Sequence, residues 1–198
     1  DLWLILMPFT YKEISNNLPN IKKNWFVISF MGVITISIFN SVVYVALNHT
    51  QVINAVLVLA AIPAATIVLS SLMNIEKTNI FQLLGLFLSI IGIGTIISNG
   101  DIQKIISLSF NKGDLLMLVC VITWALYSTL LKKNKFELSQ FSLIQLMVSV
   151  GLLFLIPQFF YEKSIGLELN YNKAFFLILF YVVVFPAIAA YYCWQKGV

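Results

Sequence analysis

Long apolar runs, each without a charge and each closed by a short polar linker, organise this chain. Trp25–Leu47, Gln51–Met73, Ile80–Ser98, Leu115–Leu131, Leu138–Tyr161 and Ala174–Gln195 contain no Asp, Glu, Lys, Arg or His. At the helical rise, roughly 17 to 25 residues span the ~30 Å hydrocarbon core of a bilayer. The runs are continuously apolar rather than alternating with period two, which favours helices over a barrel. Leu2–Tyr11 reads as the second half of a further helix, and the last run ends at Lys196-Gly197-Val198 as it leaves the membrane. The pattern therefore predicts an all-α, polytopic transmembrane helix bundle. The chain reads as a fragment with six complete helices and part of a seventh.

Composition removes the soluble alternatives. Of 198 residues, 60% are hydrophobic and only 10% charged. The net charge of +4 comes from lysine alone, scattered over linkers rather than clustered on a face, so nucleic acid is not an expected partner. Lys12, Lys22, Lys23, Lys77, Lys132, Lys133, Lys135 and Lys196 fall on one side of the alternating topology, and Lys104, Lys112, Lys163 and Lys173 on the other. The positive-inside rule makes the first side cytoplasmic. Linkers 12–24, 74–79 and 132–137 are then internal, and 99–114 and 162–173 external. The expected location is the cell membrane, the cytoplasmic membrane in a bacterium. Cys120 and Cys193 lie inside spans with no CxxC spacing and no nearby His, and read as buried small hydrophobes.

The span Trp25–Leu47 carries the sharpest chemical signal. Ser37, Asn40, Ser41, Tyr44 and Asn48 recur at i, i+3, i+4, i+7 and i+11, one face of an α-helix. Lipid cannot satisfy such groups, so the face looks at protein or at a water-filled path. It reads as a wall of a substrate path, with interhelical hydrogen bonding as the plainer alternative. Thr123, Trp124, Tyr127 and Ser128 share a second face, and Ser142, Gln145 and Ser149 a third. Trp124 could stack on a flat or cationic substrate or fill a core. Tyr191, Tyr192, Trp194 and Gln195 form an interfacial belt or a gate. Pro63 and Pro186 each remove a helix hydrogen bond and mark hinges or static kinks. Gly85, Ser89 and Gly92 read as a tight-packing stripe. Glu76 and His49 are the nearest titratable groups to the spans. The expectation is that Asn40, Tyr44, Trp124 and Gln145 approach one central cavity.

The chain also reads as a repeat. Trp25–Leu47 and the span that opens at Lys173-Ala174-Phe175 have similar length and a polar-aromatic far end. The first runs outward and the second inward, which an odd number of helices per repeat produces. Inverted repeats characterise secondary transporters. Gly113-Asp114-Leu115-Leu116 followed by Thr123-Trp124-Ala125-Leu126-Tyr127 and Leu130-Leu131-Lys132-Lys133 resembles the opening of an EamA repeat of the drug/metabolite transporter superfamily. Asn54-Ala55-Val56-Leu57 through Pro63 to Asn74-Ile75-Glu76-Lys77 is similar to that family's fourth helix, with Asn74-Ile75 in place of the usual Leu-Gly pair. Gln82-Leu83-Leu84-Gly85 with Gly92-Ile93-Gly94 resembles the fifth, Asn40 with Tyr44 and Ala46-Leu47 the third, and Tyr191 with Trp194 and Gly197-Val198 the eighth.

The resemblance implies a ten-helix carrier of two inverted five-helix halves, of which this chain covers the end of helix two to the end of helix eight. Residues 1–98 would be the remainder of the first repeat, 99–113 an external linker and 114–198 the first part of the second. It also implies a structural or gating role for Glu76. The expected function is secondary, non-ATP transport of a small organic metabolite, since no GxxxxGK[ST] run is present. The expected substrate is amino-acid-like, an amine or a related compound, moved by alternating access. Asn40, Tyr44, Ser37, Trp124, Tyr127, Gln145 and Tyr191 are the candidate binding residues, with Pro63, Pro186 and Glu76 as hinge or gate. No cofactor or metal is called for; the expected partners are the substrate and the lipid bilayer, with room for a homodimer. A non-transporting scaffold or lipid scramblase is the alternative. A membrane enzyme would need clustered nucleophiles, acids or metal ligands that the runs lack.

Overall fold

A computed structural model describes residues 2–98, 100, 111–134, 136–166 and 171–197. Among these, seven helices follow one another: α1 Leu2–Asn16, α2 Leu18–Leu47, α3 Val52–Leu72, α4 Ile80–Ser98, α5 Lys112–Lys133, α6 Gln140–Ser164 and α7 Lys173–Gly197. Every charge-free run lies within or nearly within one helix, as it must where lipid offers the backbone no partner. α2, α3, α5, α6 and α7 are long and apolar enough to cross a bilayer. α4 has 19 residues and the bounds its charge-free run predicts.

The ends are set by identifiable caps. Asn172 Oδ1 accepts from the Phe175 amide at 2.8 Å at the start of α7, and Ser139 Oγ accepts from the Ser142 amide at 3.3 Å before α6. Asn79 and Gln82 cap α4 reciprocally: Phe81 N donates to Asn79 Oδ1, and Asn79 N to Gln82 Oε1. α3 closes with Asn74 at φ 54, and the Ile75 amide reaches back to Ser70 O at 2.9 Å. Asn tolerates this left-handed turn better than other residues with a side chain.

Three helices are not uniform. α3 breaks at Ala60-Ala61 into Val52–Leu59 and Ile62–Leu72, with Pro63 at the start of the second piece. Proline has no N–H to continue the ladder, and its ring displaces the carbonyl one turn back. α2 widens to a π-helix over Val33–Phe39, and α7 does so over Val183–Ala190 with Pro186 inside.

The chain divides into two compact units, Asp1–Ser37 with Asn134–Val198, and Ile38–Lys133. In the first, α6 is central: α1, the N-terminal half of α2 and the end of α7 pack on it. Its core includes Ile28, Met31, Ile34, Ile144, Met147 and Tyr191. Glycine permits the closest approach. A Cβ on Gly32 would lie 2.6 Å from Met147 O, and one on Gly151 2.5 Å from the Ile36 side chain. In the second unit α5 is central, packed on Asn40–Leu47 and on both pieces of α3, with α4 against α3. Its core includes Ala46, Ala55, Val58, Met117, Cys120, Ala125 and Tyr127.

Two packing expectations change. A Cβ on Gly85 or Gly92 would meet no atom within 4 Å, so the α4 stripe makes no tight contact. Cys120 is buried as expected, but Cys193 is exposed, on a helix most of whose surface is left uncovered by the described residues.

Candidate functional site

In the first unit, polar side chains gather around the π segment of α2. Thr35 and Ser37 are both buried there. Thr35 Oγ1 donates to Met31 O at 2.5 Å, one turn back. Ser37 Oγ donates across to Gly151 O on α6 at 2.9 Å, a distance that the absence of a Gly151 side chain allows. Where a helical ladder changes from i−4 to i−5 spacing, a carbonyl is left outside it. Thr35 O accepts from Tyr191 OH at 3.3 Å. Tyr191 is the first residue after the π segment of α7, so the hydrogen bond joins the two irregular segments.

Gln145 of α6 is 3% exposed, and its Oε1 has no hydrogen-bond partner among the described residues. It lies between the level where Phe141 stacks on Tyr192, ring centroids 4.8 Å apart, and the level where Met147 meets Gly32. Gln195, one turn beyond Tyr191, is also buried. Below this group Glu13 closes the N-terminus of α6. Its carboxylate accepts from Ser139 N, from Ser139 Oγ and, at 2.6 Å, from Ser142 Oγ. Burial pushes the Glu13 pKa up, but the hydrogen bonds from Ser139 and Ser142 outweigh it and hold the carboxyl below its ordinary value.

In the second unit, Phe39, Trp124 and Tyr127 form an aromatic cluster, with ring centroids 4.7 Å apart for the first pair and 5.6 Å for the second. Tyr127 is fully buried and Trp124 partly so. Asn40 and Ser41 are half-buried, whereas Tyr44 is 63% exposed. Asn48, the last member of the stripe, lines a polar cavity of about 360 Å³ with His49, Thr50, Gln51, Asn54 and Asn111. Behind that cavity Thr50 Oγ1 donates to Asp114 Oδ1 at 2.6 Å. Asp114 sits in the first turn of α5 and is only 3% exposed. A carboxylate there also faces the positive end of the helix dipole. Gly113 makes the dock possible, since a Cβ would lie 2.8 Å from Ala46 O and from the His49 carbonyl carbon. At the other end of the same unit Glu76 pairs with Lys132 at 2.8 Å rather than with its neighbour Lys77. Pro63 sits at the break of α3, exposed.

Ser37, Gln145, Tyr191 and Pro186 thus belong to the first unit, and Asn40, Tyr44, Trp124, Tyr127, Pro63 and Glu76 to the second. Sequence reasoning passed over Thr35, Glu13 and Asp114. The Gly113-Asp114 pair was in view as a motif, and a carboxylate at the mouth of an apolar helix was the available signal for it. Glu13 carried no such signal.

A chain with this bundle matches the EamA-like transporter family over residues 3–98 and again over 111–198. The protein belongs to that family, which makes it a multi-pass membrane protein of the drug/metabolite transporter type. It is 26% identical over 196 residues to YyaM, an uncharacterized transporter of Bacillus subtilis (strain 168), covering 98% of this chain and 63% of that protein. It is also 26% identical over 170 residues to an uncharacterized transporter of Archaeoglobus fulgidus, covering 86% of this chain and 57% of the relative. The chain therefore spans about three fifths of the length of these curated relatives. No solved structure matches it. The family and its relatives carry the names of transporters, not of enzymes.

Proposed function

We propose that the protein carrying this chain is a secondary transporter of a small organic metabolite, amino-acid-like, an amine or a related compound, working by alternating access without ATP. Its place is the cell membrane, the cytoplasmic membrane in a bacterium. One observation carries the reading: each of the two helices that the sequence pairs as repeats, α2 and α7, contains a π segment. Val33–Phe39 ends directly before Asn40, and Val183–Ala190 directly before Tyr191. These are the two helices whose polar-aromatic ends mark the internal repeat. Interrupted helices at corresponding positions of two halves point to the substrate site of a carrier, and π segments are frequent at functional sites. Pro186 lies within one of them and makes it a natural hinge.

Asn40, Tyr44, Ser37, Trp124, Tyr127, Gln145 and Tyr191 remain the substrate-site residues of this proposal, with Pro63, Pro186 and Glu76 as hinge and gate. The test is uptake and export of a metabolite panel by cells that express the intact protein. Asn40→Ala and Tyr44→Phe should impair transport and leave membrane insertion intact, because neither adds charge nor breaks a helix. Full transport by both variants at normal expression would refute their role.

A further inference from the structure

The hydroxyls buried in the first unit share one habit: each commits its single proton inside the protein. Thr10 Oγ1 donates to Leu6 O, Thr35 Oγ1 to Met31 O, Ser37 Oγ to Gly151 O and Tyr191 OH to Thr35 O. Ser142 Oγ donates to the Glu13 carboxylate, and Ser149 Oγ, half-buried, to Gln145 O. A hydroxyl has one proton to give and two lone pairs to offer. What these groups can present to a visiting molecule is oxygen lone pairs. Gln145 Oε1 adds a buried acceptor with no partner among the described residues. An amide oxygen withdrawn from water without a hydrogen bond costs on the order of 1–3 kcal/mol. That cost is removed when a donor arrives.

On these grounds we propose that Gln145 is a recognition residue whose side-chain carbonyl accepts an N–H from the transported compound, so that the nitrogen end of the substrate, and not a carboxylate or phosphate end, enters the first unit. The inference rests on the transporter reading and deepens it. The charge-free run around Gln145 holds no acid. The unpartnered Oε1 acceptor suits an ammonium or amide N–H, which a carboxylate cannot supply. The π segment of α2 meets α6 at Gly151, and Tyr191, which follows the π segment of α7, bonds Thr35 O; these segments are where the backbone can yield to admit the group. Gln145→Leu keeps volume and removes an unpartnered polar atom from a membrane helix, so it should insert and fold at least as well as the native protein. Gln145→Glu keeps an acceptor oxygen and adds negative charge.

The experiment is calorimetric binding to the purified intact protein, using phenethylamine, phenylacetamide and 3-phenylpropionate as ammonium, amide and carboxylate versions of one body. The amine should bind, the amide more weakly, and the carboxylate not at all. Gln145→Leu should weaken amine binding about tenfold or more, the loss expected for a hydrogen bond to a charged group. Gln145→Glu should retain or tighten it. The inference is overturned if the carboxylate binds best, if Gln145→Leu binds the amine like the native protein, or if none of the three binds. Uptake of the same labelled compounds into proteoliposomes separates the two readings. Binding that follows Gln145 without uptake removes the carrier reading and leaves the site. Uptake of the carboxylate, undiminished in Gln145→Leu, leaves the carrier and removes the site.

Discussion

Adding one methyl group at Gly32 should destabilise this protein, and the size of the effect follows from the α2–α6 crossing. The new Cβ would sit 2.6 Å from Met147 O and 3.1 Å from Met147 Cα, both backbone atoms that cannot rotate away. Ordinary contact begins at 3.4 Å, so the helices must part by about 0.8 Å at that point. The Ser37 Oγ–Gly151 O distance of 2.9 Å is two turns or less away on both helices. The same displacement carries it to about 3.7 Å, beyond hydrogen-bonding range. Losing an interhelical bond in a membrane costs about 0.6 kcal/mol on average. Overpacking a well-fitted contact costs about 1–3 kcal/mol in total.

The control is Gly85→Ala on α4, where the added Cβ meets nothing within 4 Å. Both changes gain the same helix propensity, at most about 1 kcal/mol in favour of Ala. The difference between them isolates the packing term. Thermal and denaturant unfolding of the purified protein in mixed micelles should place Gly32→Ala about 2 kcal/mol below Gly85→Ala. Equal stabilities within about 0.3 kcal/mol would show that the helices do not approach as closely as described, and would remove the geometric basis of the Ser37–Gly151 hydrogen bond.

Thr50→Val and Asp114→Asn should each destabilise the second unit, and a double-mutant cycle should return a coupling of about 1 kcal/mol or more, as a buried bond to a carboxylate implies; additive effects would refute it. Glu76→Gln should change stability by less than about 1 kcal/mol, because Glu76 and Lys132 are 47% and 29% exposed and such pairs are screened; a larger loss in high salt would contradict this. The Glu13 carboxyl lies below its ordinary pKa when folded. Its contribution is therefore present above the unfolded value and lost as pH falls through the lowered one. Stability of the native protein should drop in that acidic window, and Glu13→Gln should flatten the drop; an unchanged pH profile would show that the α6 cap does not depend on the charge.

Much of the fold could be read from the chain, for a definite reason. In lipid the backbone must satisfy itself, so a charge-free run of sufficient length has little choice but to be a helix. The α4 bounds at Ile80 and Ser98 follow directly from the run. Contacts were harder, because composition permits an approach without requiring it. Gly85 and Gly92 look like a packing stripe, yet a Cβ there would meet no atom within 4 Å, whereas Gly32, Gly113 and Gly151 carry the close contacts. The difference lies in what faces each glycine, which depends on distant segments. Asp114 was missed because the last charge beside a run marks where apolarity stops, and burial continues past it. Glu13 was missed because an acid in a linker normally faces water. Here it instead takes the place of solvent for Ser139 and Ser142.

The π segments show where a periodicity argument reaches its end. The stripe Ser37, Asn40, Tyr44 was assigned to one face on 3.6 residues per turn, but the turn through Ser37 is wider than that. Residues before and after a π segment are rotated relative to α-helical register. Ser37 accordingly turns inward to Gly151 O, whereas Tyr44 is largely exposed. Both segments begin in β-branched runs, Val33-Ile34-Thr35-Ile36 and Val182-Val183-Val184. Such side chains crowd the preceding turn, and a wider turn relieves them. Crowding alone does not select the site, since Ile90-Ile91 lies in an undisturbed helix. In α2 the added influence is a cross-helix bond to a glycine carbonyl, and in α7 it is Pro186, which has no amide to give. Two different local causes thus produce the same backbone irregularity in α2 and in α7. Side-chain identity between these two helices is low, so the feature they share is the break itself. Under the alternating-access proposal, these two breaks are where the backbone would change register.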